Sequence, residues 1–363
     1  MLRDNSDIVT IAGNRPEIIK LSELVKALSH NYNNAFVYSG QHYSSNMKDV
    51  FLDELDVKFD YDLRANTSVV GILRYNIRRL LKDIQPSYVI VYGDTNTTLA
   101  GALAAIDEKC KLIHIEAGLR SFDMKMSEER NRIRIDALSD YLFAPTELAK
   151  TFLGYENIKD NVYVTGNLIV DVCRKSSLYT KFKYQESLPN KFLLLTLHRA
   201  ENVDDPSTLS ALKKYLSEVK YNIIFPIHPR TRNNLIEYNI HLPNNVILVE
   251  PVAYLEFLYL LKNCMLVLTD SGGVQEEALI LEKPCITLRN STERWETLLL
   301  RANRLFPLSG NYNGEYFSLS NVIEEILKSR IIGGNNPYGE NVTVNMVKLL
   351  SELIVNHEVI TIQ

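Results

Sequence analysis

Polar and glycine residues that can do chemistry stand directly after short apolar runs in this 363-residue sequence. They are Arg15, Asp94, Glu116, His198, His228 and the turn Asp270-Ser271-Gly272-Gly273. The last is the most informative. Met265 to Leu268 has the length and type of a buried strand, and Val274 to Leu281 has a helical pattern. The two glycines between them remove side chains where the chain turns, so backbone N–H groups can approach a ligand closely. The first N–H groups of a helix lack internal partners and lie at the positive end of its dipole, which makes a seat for phosphate. Glu276 and Glu277 follow one turn in, where a carboxylate can hold a ribose diol or simply suit the dipole. Among the acids, Asp94 reads as the cap of a helix starting at Thr95. Glu116 ends an apolar strand, where an unpaired carboxylate is costly.

The elements that must position these residues alternate. Strand-like runs at 7–12, 35–38, 88–92, 112–115, 141–144 and 162–165 are separated by helical patterns. Those patterns begin at Pro16, near 44–54, at 69–83, after Thr95, near 127–139 and from Glu147. Residues 176–190 have no clean period and read as a hinge. Alternation then restarts, with strands at 192–197, 222–227, 246–249, 265–269 and 284–288. The pattern predicts α/β architecture, two doubly wound parallel sheets, residues 1–175 and 191–340, with a last helix near 341–356 packing back on the first. In such sheets ligands bind beyond the carboxyl ends of the strands. Two facing sheets would therefore enclose the residues named above in one cleft.

Composition narrows the function. Apolar residues make up 46% and charged residues 23%, the balance of a globular chain. A net charge of −4 gives no basic excess for nucleic acid or a membrane surface. Apolar runs are strand-length, and the polar start Met1–Asp7 does not read as a signal peptide, so a cytoplasmic protein is expected. Cys110, Cys173, Cys264 and Cys285 are widely spaced in apolar company and read as reduced core residues, with no metal spacing. No Gly-x-Gly-x-x-Gly and no Walker lysine occurs, so neither a dinucleotide cofactor nor ATP is indicated.

An ordered set of motifs then carries a resemblance. It runs through Gly13–Glu17, Gly93–Thr98, His114–Arg120, Glu128–Arg132, Thr146-Glu147, Thr165–Asn167, His198–Asn202, Ile227–Pro229, Thr269–Glu277 and Thr292–Arg294. Over about residues 7–305 this resembles the non-hydrolysing UDP-N-acetylglucosamine 2-epimerases. The resemblance implies two Rossmann-like domains of the GT-B type, a cytoplasmic homodimer and no cofactor or metal. It implies interconversion of UDP-GlcNAc and UDP-ManNAc by elimination of UDP to a 2-acetamidoglucal and re-addition, in service of cell-surface polysaccharide or glycan supply. It also assigns roles. Asp94, Glu116 and Glu128 match the acids proposed for proton transfer, and His198 the catalytic-site histidine. Arg15, Lys20 and Arg132 match cations near the substrate. His228, Ser271, Gly272, Gly273 and Glu277 match UDP-binding positions. Inversion at C2 exchanges a proton on two faces, so more than one acid or base is wanted, and a diphosphate leaving group needs cations and helix N-termini. Read as ordinary structure, Arg132 would be the i,i+4 partner of Glu128, and both histidines would be hydrogen-bonded supports.

Departures from the pattern are specific. Asn14 stands for Thr, Ser127 for Pro, Trp295 for Pro and Arg301 for Gly. The segment Asn66–Arg74 replaces a Gln-containing stretch that helps bind an activating second UDP-GlcNAc, although Gln41-His42 remains, so no activator requirement is expected. Ser121–Met126 is also similar to relatives that epimerise UDP-2,3-diacetamido-uronates. A hydrolysing epimerase, a GT-B glycosyltransferase and a non-catalytic nucleotide-sugar binder are the competing functions.

Overall fold

The structure is a computed structural model that describes residues 7–41, 52–177, 188–308, 318–328 and 336–361. It divides into two compact units, one formed by Met1–Val172 with Pro337–Gln363 and the other by Cys173–Asn336. The helix expected near 44–54 falls largely on residues outside the described ones, as does most of the 176–190 segment.

The first unit runs β1 (Ile8–Ala12), α1 (Arg15–Asn31), β2 (Asn34–Tyr38), β3 (Tyr61–Asp62), α2 (Val70–Ile84), β4 (Tyr88–Tyr92), α3 (Asn96–Asp107), β5 (Lys111–Ile115), α4 (Ser127–Leu138), β6 (Tyr141–Ala144), α5 (Glu147–Tyr155) and β7 (Val162–Val164). Helix α6 (Ile169–Ser177) follows. The strands lie in the order β3-β2-β1-β4-β5-β6-β7, all parallel. Strands β1, β2 and β4 are buried throughout, as helices on both faces of a parallel sheet require. In α1 the residues Ile18, Leu21, Leu24, Val25 and Leu28 are buried at helical spacing. The Asn14 side chain caps that helix by accepting the Glu17 N–H at 3.0 Å, so asparagine does the job threonine would do there.

The second unit runs β8 (Phe192–Thr196), α7 (Ala200–Val203), α8 (Pro206–Ser217), β9 (Asn222–Pro226), α9 (Pro229–Glu237), β10 (Val246–Val249), α10 (Tyr254–Asn263), β11 (Val267–Thr269), α11 (Gly272–Ile280), β12 (Cys285–Thr287), α12 (Trp295–Leu299), β13 (Asn303–Leu305) and α13 (Leu319–Lys328). Its order is β10-β9-β8-β11-β12-β13, again all parallel. The last helix, α14 (Val342–Thr361), belongs to the first unit. It is tied there by Tyr32 donating to Ser351 at 2.6 Å and by the Thr343 N–H donating to Asp171 at 2.7 Å.

Both sheets reverse direction once, between β1 and β4 and between β8 and β11. At such a reversal the loops after the two strands diverge and leave a crevice. The turns that follow those strands begin at Gly13, Gly93, Leu197 and Asp270, so Arg15, Asp94, His198 and the turn from Asp270 to Gly273 sit at these two points, with Glu116 and His228 after the neighbouring strands β5 and β9.

Candidate active site

In the first unit the crevice collects charge. Strand β5 ends at Ile115, and Glu116 takes a left-handed backbone with φ of +74°. That conformation is costly for a residue with a β-carbon and is held here by the surrounding structure. Both the Glu116 and Ala117 N–H groups donate to the Phe143 carbonyl at 3.1 Å. The Glu116 carboxylate is buried, and its Oε1 receives the Lys20 ammonium at 2.6 Å and the Tyr92 hydroxyl at 2.9 Å. Lys20 also lies 5.3 Å from the centre of the Tyr92 ring. Lys20 is thus a buried ion-pair member, not a solvated helix residue.

Asp94 turns out not to cap the next helix. Thr95 does, accepting the Thr98 N–H at 3.2 Å while the Thr98 hydroxyl accepts the Thr95 N–H at 3.1 Å. The Asp94 carboxylate instead pairs with the Arg132 guanidinium. Arg132 reaches across with its other nitrogen to Glu129 at 2.6 Å. The expected i,i+4 pair with Glu128 is therefore replaced by an i,i+3 pair with Glu129. The reason is burial: Glu129 is enclosed, and it accepts the Ser121 N–H, the Ser121 hydroxyl and the Phe122 N–H, each at 2.9 Å. Asn131 fixes the Asp94 backbone by donating to its carbonyl at 3.0 Å. Glu128 is partly exposed and accepts from the adjacent Ser127 hydroxyl at 3.0 Å. The structure therefore pairs Lys20 with Glu116 and Asp94 with Arg132, and Glu128 belongs to neither pair. Arg15 opens α1, half-buried, in the turn after β1.

Behind these acids lies a second buried layer. His114 places Nδ1 2.6 Å from Asp136 and Nε2 2.8 Å from the Gly93 carbonyl. Asp136 also receives the Gly118 N–H at 3.1 Å and Arg120 at 2.7 Å. Burial drives the Asp136 carboxyl up, but His114 and Arg120 outweigh it and hold the group below its ordinary value. The carbonyl of the residue before Asp94 is thereby fixed from underneath.

In the second unit the crevice presents a helix end without a side-chain cap. Helix α11 begins at Gly272, and the Ser271 side chain makes no capping bond to it. A β-carbon on Gly272 would overlap Glu293 Oε1, whereas Gly273 faces space on that side, its nearest neighbour being Ser271 Oγ at 4.0 Å. Asp270 is wholly buried and gathers the His198 N–H at 3.1 Å, the Arg199 N–H at 2.9 Å and the Asn202 amide at 3.2 Å. It also lies 3.1 Å from His198 Nδ1. Desolvation pushes the Asp270 carboxyl up, and His198 together with these N–H donors brings it below its ordinary value. The His198 ring is half exposed. With Nδ1 turned to Asp270, Nε2 is the atom presented outward.

His228 caps α9, its Nδ1 accepting the Arg230 N–H at 3.2 Å. Burial first, then the nearby His198 and Arg230, lower its pKa, so it is held neutral with its other nitrogen as the donor. Glu277 is buried and accepts from the Tyr254 hydroxyl at 3.0 Å. Glu276, the other candidate for a diol, is fully buried against Arg294 at 2.6 Å and is a structural ion pair.

Sequence reasoning missed Tyr92 and Glu129 as supports, and named Asp270 without seeing that it would hold His198. Local sequence gave no sign of which side chains they would meet. Arg301 adopts φ of +55°, the backbone of the glycine it replaces. Gln41 accepts the N–H and the hydroxyl of Thr97 at 3.1 and 2.7 Å, and His42 lies outside the described residues. Among the described residues no cluster of three His, Cys, Asp or Glu side chains could hold a metal.

Two Rossmann-like parallel sheets, one carrying paired acids and cations and the other a bare glycine turn into a helix, define a GT-B-type enzyme of nucleotide-linked sugars. The family model described as UDP-N-acetylglucosamine 2-epimerase matches residues 26–350, and the chain belongs to that family of isomerases. It is 43% identical over 362 residues to a UDP-N-acetylglucosamine 2-epimerase of Methanococcus maripaludis, covering 93% of this chain and 97% of that one. It is 41% identical to a UDP-2,3-diacetamido-2,3-dideoxy-D-glucuronate 2-epimerase of Pseudomonas aeruginosa, covering 82% and 87%. A crystal structure of the Methanocaldococcus jannaschii UDP-GlcNAc 2-epimerase in complex with UDP-GlcNAc and UDP superposes with a TM-score of 0.86 at 41% identity, covering 95% and 99%.

Proposed function

We propose that this chain inverts C2 of a UDP-linked N-acetylhexosamine, converting UDP-GlcNAc to UDP-ManNAc. A base removes the C2 proton while the C1–O bond to UDP breaks, leaving a 2-acetamidoglucal. UDP then re-forms the C1–O bond and an acid returns a proton to the other face of C2. Atoms balance without a redox step. The observation that carries this reading is the pair of carboxylates that follow the adjacent strands β4 and β5, Asp94 on Arg132 and Glu116 on Lys20. They supply the two proton carriers that inversion demands. Glu128 keeps the role the resemblance implies, a third carrier. Arg15, Lys20 and Arg132 offset the charge that develops as the diphosphate leaves. Ser271, Gly272 and Gly273 would seat that diphosphate on the N-terminus of α11, with the His198 and His228 ring nitrogens as further donors and Glu277 on the ribose.

One incubation tests the reading. Purified protein with UDP-GlcNAc, followed by proton NMR, is expected to give UDP-ManNAc. Free sugar plus UDP would mean hydrolysis, and an unchanged substrate would leave a transferase or a binder. The Pseudomonas relative supports a second reading, a UDP-2,3-diacetamido-uronate as substrate. Comparing kcat/KM for the two UDP-sugars decides between them.

We further propose a cytoplasmic homodimer. All four cysteines are free and buried, as suits a reducing compartment. Among the described residues no helix is long and apolar enough to cross a membrane. The exposed apolar row Val69, Ile72 and Tyr75 on and beside α2 supports self-association. Light scattering that gives the monomer mass would remove the dimer from the proposal.

A further inference from the structure

Glu17 is a buried acid that the reaction course above does not use. It lies in the first turn of α1 and is 4% exposed. One carboxyl oxygen accepts the Gly13 N–H at 2.6 Å, within the turn that leads to Arg15. The other lies 3.4 Å from the Thr98 hydroxyl, in the capping turn that begins directly after Asp94. Thr98 has one hydroxyl proton, and the Tyr92 carbonyl at 2.7 Å is its nearer acceptor. Thr95 adds a further hydrogen bond to Glu17. Gly13 itself is packed so closely that a β-carbon there would overlap Thr97. The two turns are therefore clamped together, and Glu17 is the side chain that spans them.

The charged and titratable groups that face it are Asp94 and Tyr38, both acids. Among the described residues no cation pairs with it, in contrast to Glu116 on Lys20 and Asp94 on Arg132. Burial raises the Glu17 carboxyl from 4.5 to about 7, with Asp94 adding to the rise and the bonds from Gly13, Thr95 and Asn14 opposing it.

We propose that Glu17 is a positioning residue, a proton-bearing latch that holds the Arg15 turn in register with the Asp94 turn. As a neutral acid it adds no charge beside Asp94. When it ionises, two carboxylates share one buried space and the register loosens. The idea rests on the proposed role of Asp94 in proton transfer.

The test compares wild type, Glu17→Gln and Glu17→Ala across about pH 5.5 to 8.5, a span of about three units centred on the Glu17 titration near 7. Glutamine mimics the neutral acid, since its carbonyl still accepts the Gly13 N–H. Wild-type kcat is expected to fall on the alkaline side of about 7, and Glu17→Gln to lose that limb while staying within about threefold of wild type at pH 6. Glu17→Ala should lose about tenfold or more in kcat at every pH, with less effect on KM. Thermal unfolding supplies a readout independent of turnover. The midpoint of Glu17→Gln relative to wild type should rise between about pH 4.5 and about 7 and level off above that. Identical pH profiles for wild type and Glu17→Gln, a midpoint difference that does not move with pH, or full activity of Glu17→Ala would each overturn the latch. If wild type does not epimerise at all, the proposed function fails instead, and the unfolding series still decides the latch.

Discussion

The two crevices occupy the same place in sheets of the same core strand order, yet they are furnished in opposite ways. At and beside the β1/β4 reversal, carboxylates meet cations: buried Glu116 on Lys20, and part-buried Asp94 on Arg132, which also holds Glu129. At the β8/β11 reversal the key donors belong to the backbone: a helix end that Ser271 leaves uncapped, beside a half-exposed His198. Buried ion pairs are expensive and fix geometry, which suits groups that must meet one carbon atom from defined directions. Bare N–H groups bind a diffuse anion without committing a charge. The contrast supports the proposed division of one topology between proton chemistry and nucleotide binding by the side chains placed after its strands.

The predictions break or sharpen that contrast. The largest effect is expected from Asp94→Asn, which keeps the shape of the carboxylate but not its basicity; kcat should fall by about a thousandfold. UDP affinity, measured by calorimetry, should change by less than about threefold if the nucleotide is held by the other unit. Gly272→Ala should do the reverse, because its β-carbon would overlap Glu293 at the mouth of α11. KM should rise by about tenfold with kcat less affected, and steady-state kinetics separate the two. Tyr92→Phe removes one of two donors to Glu116 Oε1. A loss of about fivefold in kcat is expected, the equivalent of about 1 kcal/mol.

The pH dependence of stability separates the acids in the same way. Asp270 has its pKa lowered in the fold, so it stabilises above the unfolded carboxylate value and that contribution is lost as pH falls through the folded one. If Asp270 carries part of the acid sensitivity, the stability of Asp270→Asn, lower overall, should vary less with pH below about 4. The smallest effect is Arg301→Gly, which relieves a left-handed backbone at φ of +55° and should stabilise by about 1 kcal/mol in denaturant titration.

Much of this was legible in the sequence. Apolar runs bounded by glycine and polar residues marked every strand of more than three residues, because strands buried on both faces read as continuous apolar runs. The strand β3, Tyr61–Asp62, has too few residues for a pattern, and β13, Asn303-Arg304-Leu305, carries no apolar run. The turns after strands were located correctly, but their wiring was not. Glu116 pairs with a lysine 96 residues away, and Asp94 with an arginine 38 residues away. Such partners are set by strand order, which local spacing does not encode. Two local rules also misled: Thr95 took the capping place given to Asp94, and the buried Glu129 displaced Glu128 as the partner of Arg132. Glu17 was not singled out beyond its place in the Gly13–Glu17 motif, because nothing nearby in sequence reveals its burial.

The central claim, that the carboxylate crevice moves the C2 proton while the glycine-turn crevice holds the nucleotide, is tested most directly by isotope exchange. UDP-GlcNAc is incubated in deuterated water with wild type and with Asp94→Asn, and deuterium at C2 is followed by NMR beside UDP binding. Wild type should place solvent deuterium at C2 of the epimerised sugar, and Asp94→Asn should bind UDP normally while exchange nearly stops. Exchange at the wild-type rate in Asp94→Asn, or inversion by wild type with the original hydrogen retained at C2, would contradict the account.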